Sequence, residues 1–297
     1  MMRALAILIV TILFGTTIGH AERIDHIAGL APADHFKIDS ESTTRPYHIF
    51  VRLPEGYETS TQDYPTVYAL DGDITFPILG PYHLLFSYDE PVPDAIIVGI
   101  NYGTFRPDEG NFRTVDFSTP PLPDEFRQGV DQGAPNGGAA AFQNFIRTEL
   151  IPLVEKKYRA DATKRIIVGQ SRGAHFVLYS AISDPDLFWG HIASNPSLEP
   201  NKEFFFQDLG TKEKTASKVF FSSASRDFPR LRKSALELFE NWSGQSRKPW
   251  DLKTVTLEGE THAAGITNVY RAAMIWFFDK DTNSTEPSIP SSSTDNN

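Results

Sequence analysis

Short apolar runs alternate with stretches of helical spacing along most of the chain. Tyr47 to Leu53 and Pro65 to Leu70 read as strands, joined by a polar turn around Glu55-Gly56-Tyr57, and their closeness predicts an opening antiparallel pair. Asp94 to Ile100 is apolar at nearly every position, the pattern of a strand buried on both faces. Phe142, Phe145, Ile146, Leu150, Leu153 and Val154 recur at helical spacing, with Pro152 expected to kink or restart that helix. Ile166-Ile167-Val168, His191 to Ser194, Lys218 to Phe221 and Leu252 to Leu257 read as four further strands. Helical stretches over Ala174 to Ile182 and Ser234 to Trp242 fall between them. A last helix carries Ile266, Val269, Tyr270, Ala273, Met274, Phe277 and Phe278 as one apolar stripe. Apolar strands alternating with helices predict an α/β domain with a mostly parallel central sheet and helices on both faces.

The ends of the chain read differently. Met1 to Ala21 has an early arginine, an apolar run from Ala4 to Phe14 and small residues before Glu22, the form of a cleavable signal peptide. That run is shorter than the ~20 residues needed to span a bilayer. The expectation is an exported protein, periplasmic or secreted, with no membrane attachment after cleavage. The main domain is then 22–280, and the Ser-, Thr-, Pro- and Asn-rich segment 281–297 is expected to be a disordered tail.

The junction between the Ile166-Ile167-Val168 strand and the helix after it holds Gly169-Gln170-Ser171-Arg172-Gly173. A serine between two glycines at a sharp strand-to-helix turn is the arrangement of a nucleophile elbow. The glycines let the turn close, and the hydroxyl is pushed into a cleft. A serine hydroxyl attacks a carbonyl only when an imidazole takes its proton, and a carboxylate behind the imidazole fixes its tautomer. In chain order the elbow is followed by Asp227, after the strand beginning at Lys218, and by His262, after the strand beginning at Leu252. Among eight histidines, His48 lies on an alternating strand and His175 one turn beyond the elbow. Glu199, Asp251, Glu258 and Glu260 compete with Asp227 as the acid. The oxyanion of an acyl-transfer intermediate needs backbone donors. One is expected from the amide of Arg172 and one from the Asp71-Gly72-Asp73 loop, at Asp73 with Ile74 as the alternative.

Composition narrows the setting. A formal net charge of −10 argues against nucleic-acid binding, which depends on lysine and arginine excess. No cysteine is present, so disulfides and thiolate metal sites are excluded. No histidine pair has ligand spacing with a nearby acid, and Asp71 and Asp73 alone are too few ligands for calcium, so neither metal nor cofactor is expected. Residues 102–136 are rich in proline and glycine with no evident regular element, the form of a loop over a cleft. They include Arg106, Arg113 and Arg127. Arg106 and Arg113, with Arg172 beside the serine, are candidate receptors for an anionic acyl or aryl group.

These pieces together resemble one family. Tyr68 to Asp73, Ile97 to Ile100, Phe142 to Tyr158 with its Glu149-Leu150-Ile151-Pro152, Gly169 to Gly173, Asp184 to Phe188, Ser194 to Leu198 and Gly259 to His262 cover most of residues 40–280. Their pattern is similar to the esterase family of α/β-hydrolases, which contains siderophore esterases, esterase D type S-formylglutathione hydrolases, feruloyl and acetylxylan esterases and mycolyltransferases. The resemblance is strongest to the exported siderophore-esterase branch. It implies an α/β-hydrolase fold, a small-molecule ester as substrate, hydrolysis through an acyl-enzyme without a cofactor, and catalytic roles for Ser171, Asp227 and His262. Feruloyl or acetyl polysaccharide esters, acyl transfer, and a non-catalytic binder on the same fold are the alternatives. Two departures matter: relatives commonly have a doubled glycine and an apolar residue in the elbow, where this chain has Arg172 and Ala174. Some siderophore esterases rely mainly on Ser and His, which leaves the weight of Asp227 open.

Overall fold

The computed structural model describes residues 29, 33–119, 137–199, 201–210 and 212–279. The expected leader over 1–21, the tail over 281–297 and Arg127 lie outside the described residues. Among the described residues eight strands form one sheet: β1 (Ala33–Asp39), β2 (Pro46–Arg52), β3 (Tyr64–Ala69), β4 (Ile96–Asn101), β5 (Ala160–Gln170), β6 (Gly190–Ser194), β7 (Lys218–Arg226) and β8 (Asp251–Thr261). Their order is β1-β2-β4-β3-β5-β6-β7-β8, and β2 alone runs opposite to its neighbours. This is the mostly parallel α/β sheet that the alternation predicts.

The predicted opening pair is corrected. β2 pairs antiparallel with β1 on one side and β4 on the other, while β3 lies beyond β4 and is parallel to it. The polar segment between β2 and β3 is a crossover, because β4 returns from its helix into the place beside β3 that a hairpin would have filled. β1 escaped sequence reading because its Asp34, His35, Lys37 and Asp39 keep an exposed edge strand polar.

Side chains alternate between the two faces of the sheet. Tyr68, Val98, Ile167 and Phe221 enter one core, and Val67, Ile97, Ile166 and Phe220 the other. Helix α1 (Gly72–Phe86) is not evident from the sequence, because Pro77, Pro81 and two glycines interrupt its pattern. Both prolines stand inside the helix, where each removes one i→i−4 hydrogen bond. A short helix α2 (Arg113–Asp116) and a single 3-10 turn at Pro107–Glu109 stand where the sequence shows no regular element. Helix α3 (Ala139–Phe145) passes through one π turn (Ile146–Leu150) into α4 (Ile151–Lys157), with Pro152 in the first turn of α4. The predicted restart at Pro152 is thus present. Helix α5 (Arg172–Ser183) follows β5, α6 (Pro229–Gly244) follows β7 and α7 (Ile266–Phe278) follows β8. Helices α1 and α7 cover one face of the sheet, α3 to α6 the other. This brings the carboxyl ends of β3, β5, β7 and β8 to one edge, where open α/β sheets build their sites.

Candidate active site

Ser171 stands between β5 and α5 with φ 58° and ψ −112°, a conformation that a non-glycine residue adopts only under surrounding constraint. The constraint comes from both flanks. A Cβ on Gly169 would lie 2.4 Å from the carbonyl carbon of Gly173, so only glycine lets the turn fold back on itself. The Ser171 N–H donates to Ser194 O at 2.9 Å, and the Ser171 carbonyl receives the Ser197 N–H at 3.1 Å. The hydroxyl is thereby fixed at the apex of the turn that the Gly-x-Ser-x-Gly spacing predicts.

The structure brings the three predicted side chains together. Ser171 Oγ lies 2.9 Å from Nε2 of His262, whose Nδ1 lies 2.8 Å from Oδ1 of Asp227. The Asp227 side chain is 1% exposed and that of His262 19%. The same Asp227 oxygen accepts the Phe228 N–H at 2.6 Å, which holds the carboxylate toward the ring. A carboxylate on Nδ1 leaves Nε2 to face the hydroxyl in the tautomer that removes a proton. Four of the rivals are engaged elsewhere. His48 contacts His35 at 3.0 Å, and buried His175 contacts Ser197 O and Thr119. Asp251 pairs with Lys214, and Glu260 with Asn268.

Both expected oxyanion donors sit at helix N-termini, where backbone N–H groups lack intrahelical acceptors. Arg172 is the first residue of α5. Asp73 is the second of α1, after Asp71 in the left-handed region at φ 52°. The alternative, Ile74, already donates its N–H to Asp71 O at 3.0 Å. Gly72 permits this turn because a Cβ there would fall 1.8 Å from Asn101 Oδ1. Burial raises the Asp73 carboxyl above the usual range.

The arginines divide. Arg113 is bidentate on Asp71, with Nε at 2.6 Å and Nη2 at 2.8 Å. Arg172 donates from Nη1 to Ser118 Oγ at 3.0 Å. Burial, and then the nearby Arg113 charge, push its guanidinium down to about 10. Arg106 is 65% exposed and pairs with Asp108 and Glu109. The segment carrying them is anchored through Asp116, which is buried and receives Arg45, Tyr47 and Tyr102.

Sequence reasoning missed several participants. Phe228 is 63% exposed yet its ring centre lies 5.4 Å from that of His262, so it borders the site as an apolar wall. Its position immediately after the candidate acid was the available signal. Asp71 stands in the predicted loop after β3, and its pairing with Arg113 comes only with folding. Gln170 and Asn195, whose side chains both reach the His262 carbonyl, left no pattern because their partner is distant in sequence.

The family model described as "Putative esterase" matches residues 40–266. This chain belongs to that esterase family. It is a carboxylic ester hydrolase with the α/β-hydrolase fold. A relative from Bacillus subtilis, ferri-bacillibactin esterase BesA, is 28% identical over 239 residues, covering 76% of this chain and 82% of that protein. Among solved structures, the BES protein from Bacillus cereus superposes with a TM-score of 0.72 at 23% identity, covering 88% of this chain and 98% of that one. The siderophore hydrolase EstA from Aspergillus nidulans gives 0.69 at 20% identity, covering 87% and 97%. At these identities the structural likenesses speak for the fold. No helix among the described residues is long and apolar enough to cross a membrane.

Proposed function

We propose that the enzyme is an exported serine esterase that cleaves its substrate through an acyl-enzyme on Ser171. The observation that carries this reading is the two-sided engagement of one imidazole, with Ser171 Oγ on Nε2 and Asp227 on Nδ1. In the proposed cycle His262 Nε2 takes the Ser171 proton as Oγ attacks the ester carbonyl. The amides of Arg172 and Asp73 receive the oxygen on which negative charge develops. Collapse of the tetrahedral intermediate breaks the C–O bond, and the imidazolium returns its proton to the departing alcohol. Water then repeats the sequence with His262 as base, releasing the acid and restoring the hydroxyl. Asp227 stays ionised and stabilises the imidazolium. Export rests on the leader-like residues 1–21.

The proposed substrate is an ester whose acyl part carries an anionic or catecholate group, of the siderophore type. Arg172 and Arg113 place two half-buried guanidiniums beside the elbow, Arg113 paired with Asp71, and Arg106 adds an exposed cation at the rim. The naming of the 28% identical relative as a ferri-bacillibactin esterase supports this chemistry. The test is hydrolysis of a panel spanning a catecholate trilactone, short nitrophenyl esters, feruloyl esters and acetylated xylan. The reading predicts the highest kcat/KM for the trilactone, and that Arg172→Met lowers the trilactone rate more than the nitrophenyl rate. Equal losses on acidic and neutral esters would contradict the proposed role of the arginines.

A further inference from the structure

We infer that Asn195, seconded by Gln170, is the positioning residue that fixes the backbone of His262 relative to both Ser171 and Asp227. The inference rests on the serine esterase reading above and concerns how its imidazole is held in place.

His262 lies one residue beyond β8, whose last ladder partner is Thr261 opposite Arg226. Its carbonyl therefore has no strand to receive a donor, and a polar backbone group at a half-buried site must find one elsewhere. Two side-chain amides meet it. Asn195 Nδ2 donates to His262 O at 2.8 Å, and Gln170 Nε2 donates to the same oxygen. A carbonyl accepts two hydrogen bonds and donates none, so both amides present nitrogen to it and the assignment is settled by chemistry.

Asn195 is placed to do more than cap a loose end. It is 1% exposed and adopts φ 46°, a left-handed conformation that asparagine tolerates better than most residues. That bend lifts the chain out of β6 immediately after Ser194, whose carbonyl holds the Ser171 N–H. The Asn195 N–H continues to Ser222 O at 3.1 Å, and its Oδ1 receives the Ala224 N–H at 2.7 Å, three residues before Asp227. One side chain thus ties the ends of β6, β7 and β8 together, and Gln170 adds the end of β5 directly before the nucleophile. The loop bearing the base cannot move against the strands bearing the acid and the serine without breaking one of these bonds. Reaction through a fixed near-attack geometry is sensitive to such movement, and a misplacement of ~1 Å costs about a hundredfold in rate.

The test separates the two ends of the asparagine. Asn195→Asp keeps the acceptor for Ala224 N–H but turns an oxygen toward the His262 carbonyl. Asn195→Gly keeps the left-handed backbone and removes both bonds. The expected result for each is a loss in kcat of about a hundredfold with KM little changed. Gln170→Ala is milder, because the asparagine bond remains. In Asn195→Asp the added carboxylate also stabilises the imidazolium, so the acid limb of the kcat/KM profile moves to higher pH, while in Asn195→Gly it does not. Melting curves of all three variants distinguish loss of positioning from loss of fold. The inference is overturned if either Asn195 variant keeps wild-type kcat, or if lost activity only follows the unfolded fraction. Ser171→Ala runs alongside. Should it retain ester hydrolysis, the serine reading fails, whereas an inactive Ser171→Ala beside fully active Asn195 variants removes this inference alone.

Discussion

Asp71 receives both arms of the Arg113 guanidinium, at 2.6 and 2.8 Å, and its Oδ2 lies 3.3 Å from where a Cβ on Gly173 would stand. One carboxylate therefore joins the loop after β4 to the turn after β3, and it lies beside the elbow. Asp71 also caps α1 in the left-handed region, so the ion pair holds the turn that presents the Asp73 amide. Asparagine tolerates that backbone but leaves Arg113 without its counter-charge. Asp71→Asn is expected to cost about 2–4 kcal/mol in stability, as when one member of a largely buried pair is removed. It is also expected to lower kcat more than it changes KM, since the oxyanion donor loosens. Urea midpoints and steady-state rates check the two effects separately.

Gly169 leaves no room for a side chain. A Cβ 2.4 Å from Gly173 carbon meets the backbone of Gly173 and Ala174, not the movable end of a side chain. Gly169→Ala is expected to lose more than ~4 kcal/mol or to fail to fold, among the largest effects a single methyl produces. Soluble, wild-type-like melting of this variant would show that the turn does not close as described.

Asp227 is the residue whose importance the family resemblance leaves open. Its oxygen serves both Phe228 N–H and His262 Nδ1, and its side chain is 1% exposed. Asp227→Asn would offer the ring a competing donor and hold the wrong tautomer. A loss of about 10²–10⁴ in kcat is expected. Asp251→Asn, at an exposed ion pair with Lys214, is expected to leave kcat unchanged. Similar kcat for the wild type and Asp227→Asn would mean that Ser171 and His262 suffice.

Three buried histidines make the fold sensitive to acid. Burial pushes His83 down to about 4, and His175 and His191 down to about 3. In the unfolded chain each binds a proton near the ordinary value of ~6.5. Below that pH the unfolded state holds more protons, so stability falls as pH falls, by about 1.4 kcal/mol per pH unit for each histidine. Asp116 works the other way: burial raises it to about 6, so it takes up a proton in the folded state first and offsets one of the three. The net expectation is a slope of about 3 kcal/mol per pH unit between roughly pH 6 and 4.5. Urea midpoints across that range measure it. His191→Phe should flatten the slope by one proton, because it removes a fully buried ring that the unfolded chain protonates.

The meeting of Ser171, Asp227 and His262 was legible because each follows a strand whose apolar run is local and unmistakable: Ile166 to Val168, Lys218 to Phe221, Leu252 to Leu257. The order of strands was not. Pairing β2 with β4 depends on the path of a crossover, and β1 carries alternating polar residues that look like loop. Helix α1 was hidden by two prolines inside it, which in a sequence read as helix breakers. Arg113 was recognised as a candidate but its partner was not, because Asp71 lies far away in sequence and is joined to it only by folding. Asn195 was hidden for the same reason, since its three hydrogen bonds reach residues distant along the chain.

The most direct test of the account is covalent labelling of the intact enzyme with a fluorophosphonate, followed by mass mapping of the modified peptide. A single adduct on Ser171 is expected, absent in Ser171→Ala and greatly slowed in His262→Ala. Labelling at another residue, or undiminished ester hydrolysis by Ser171→Ala, would contradict it.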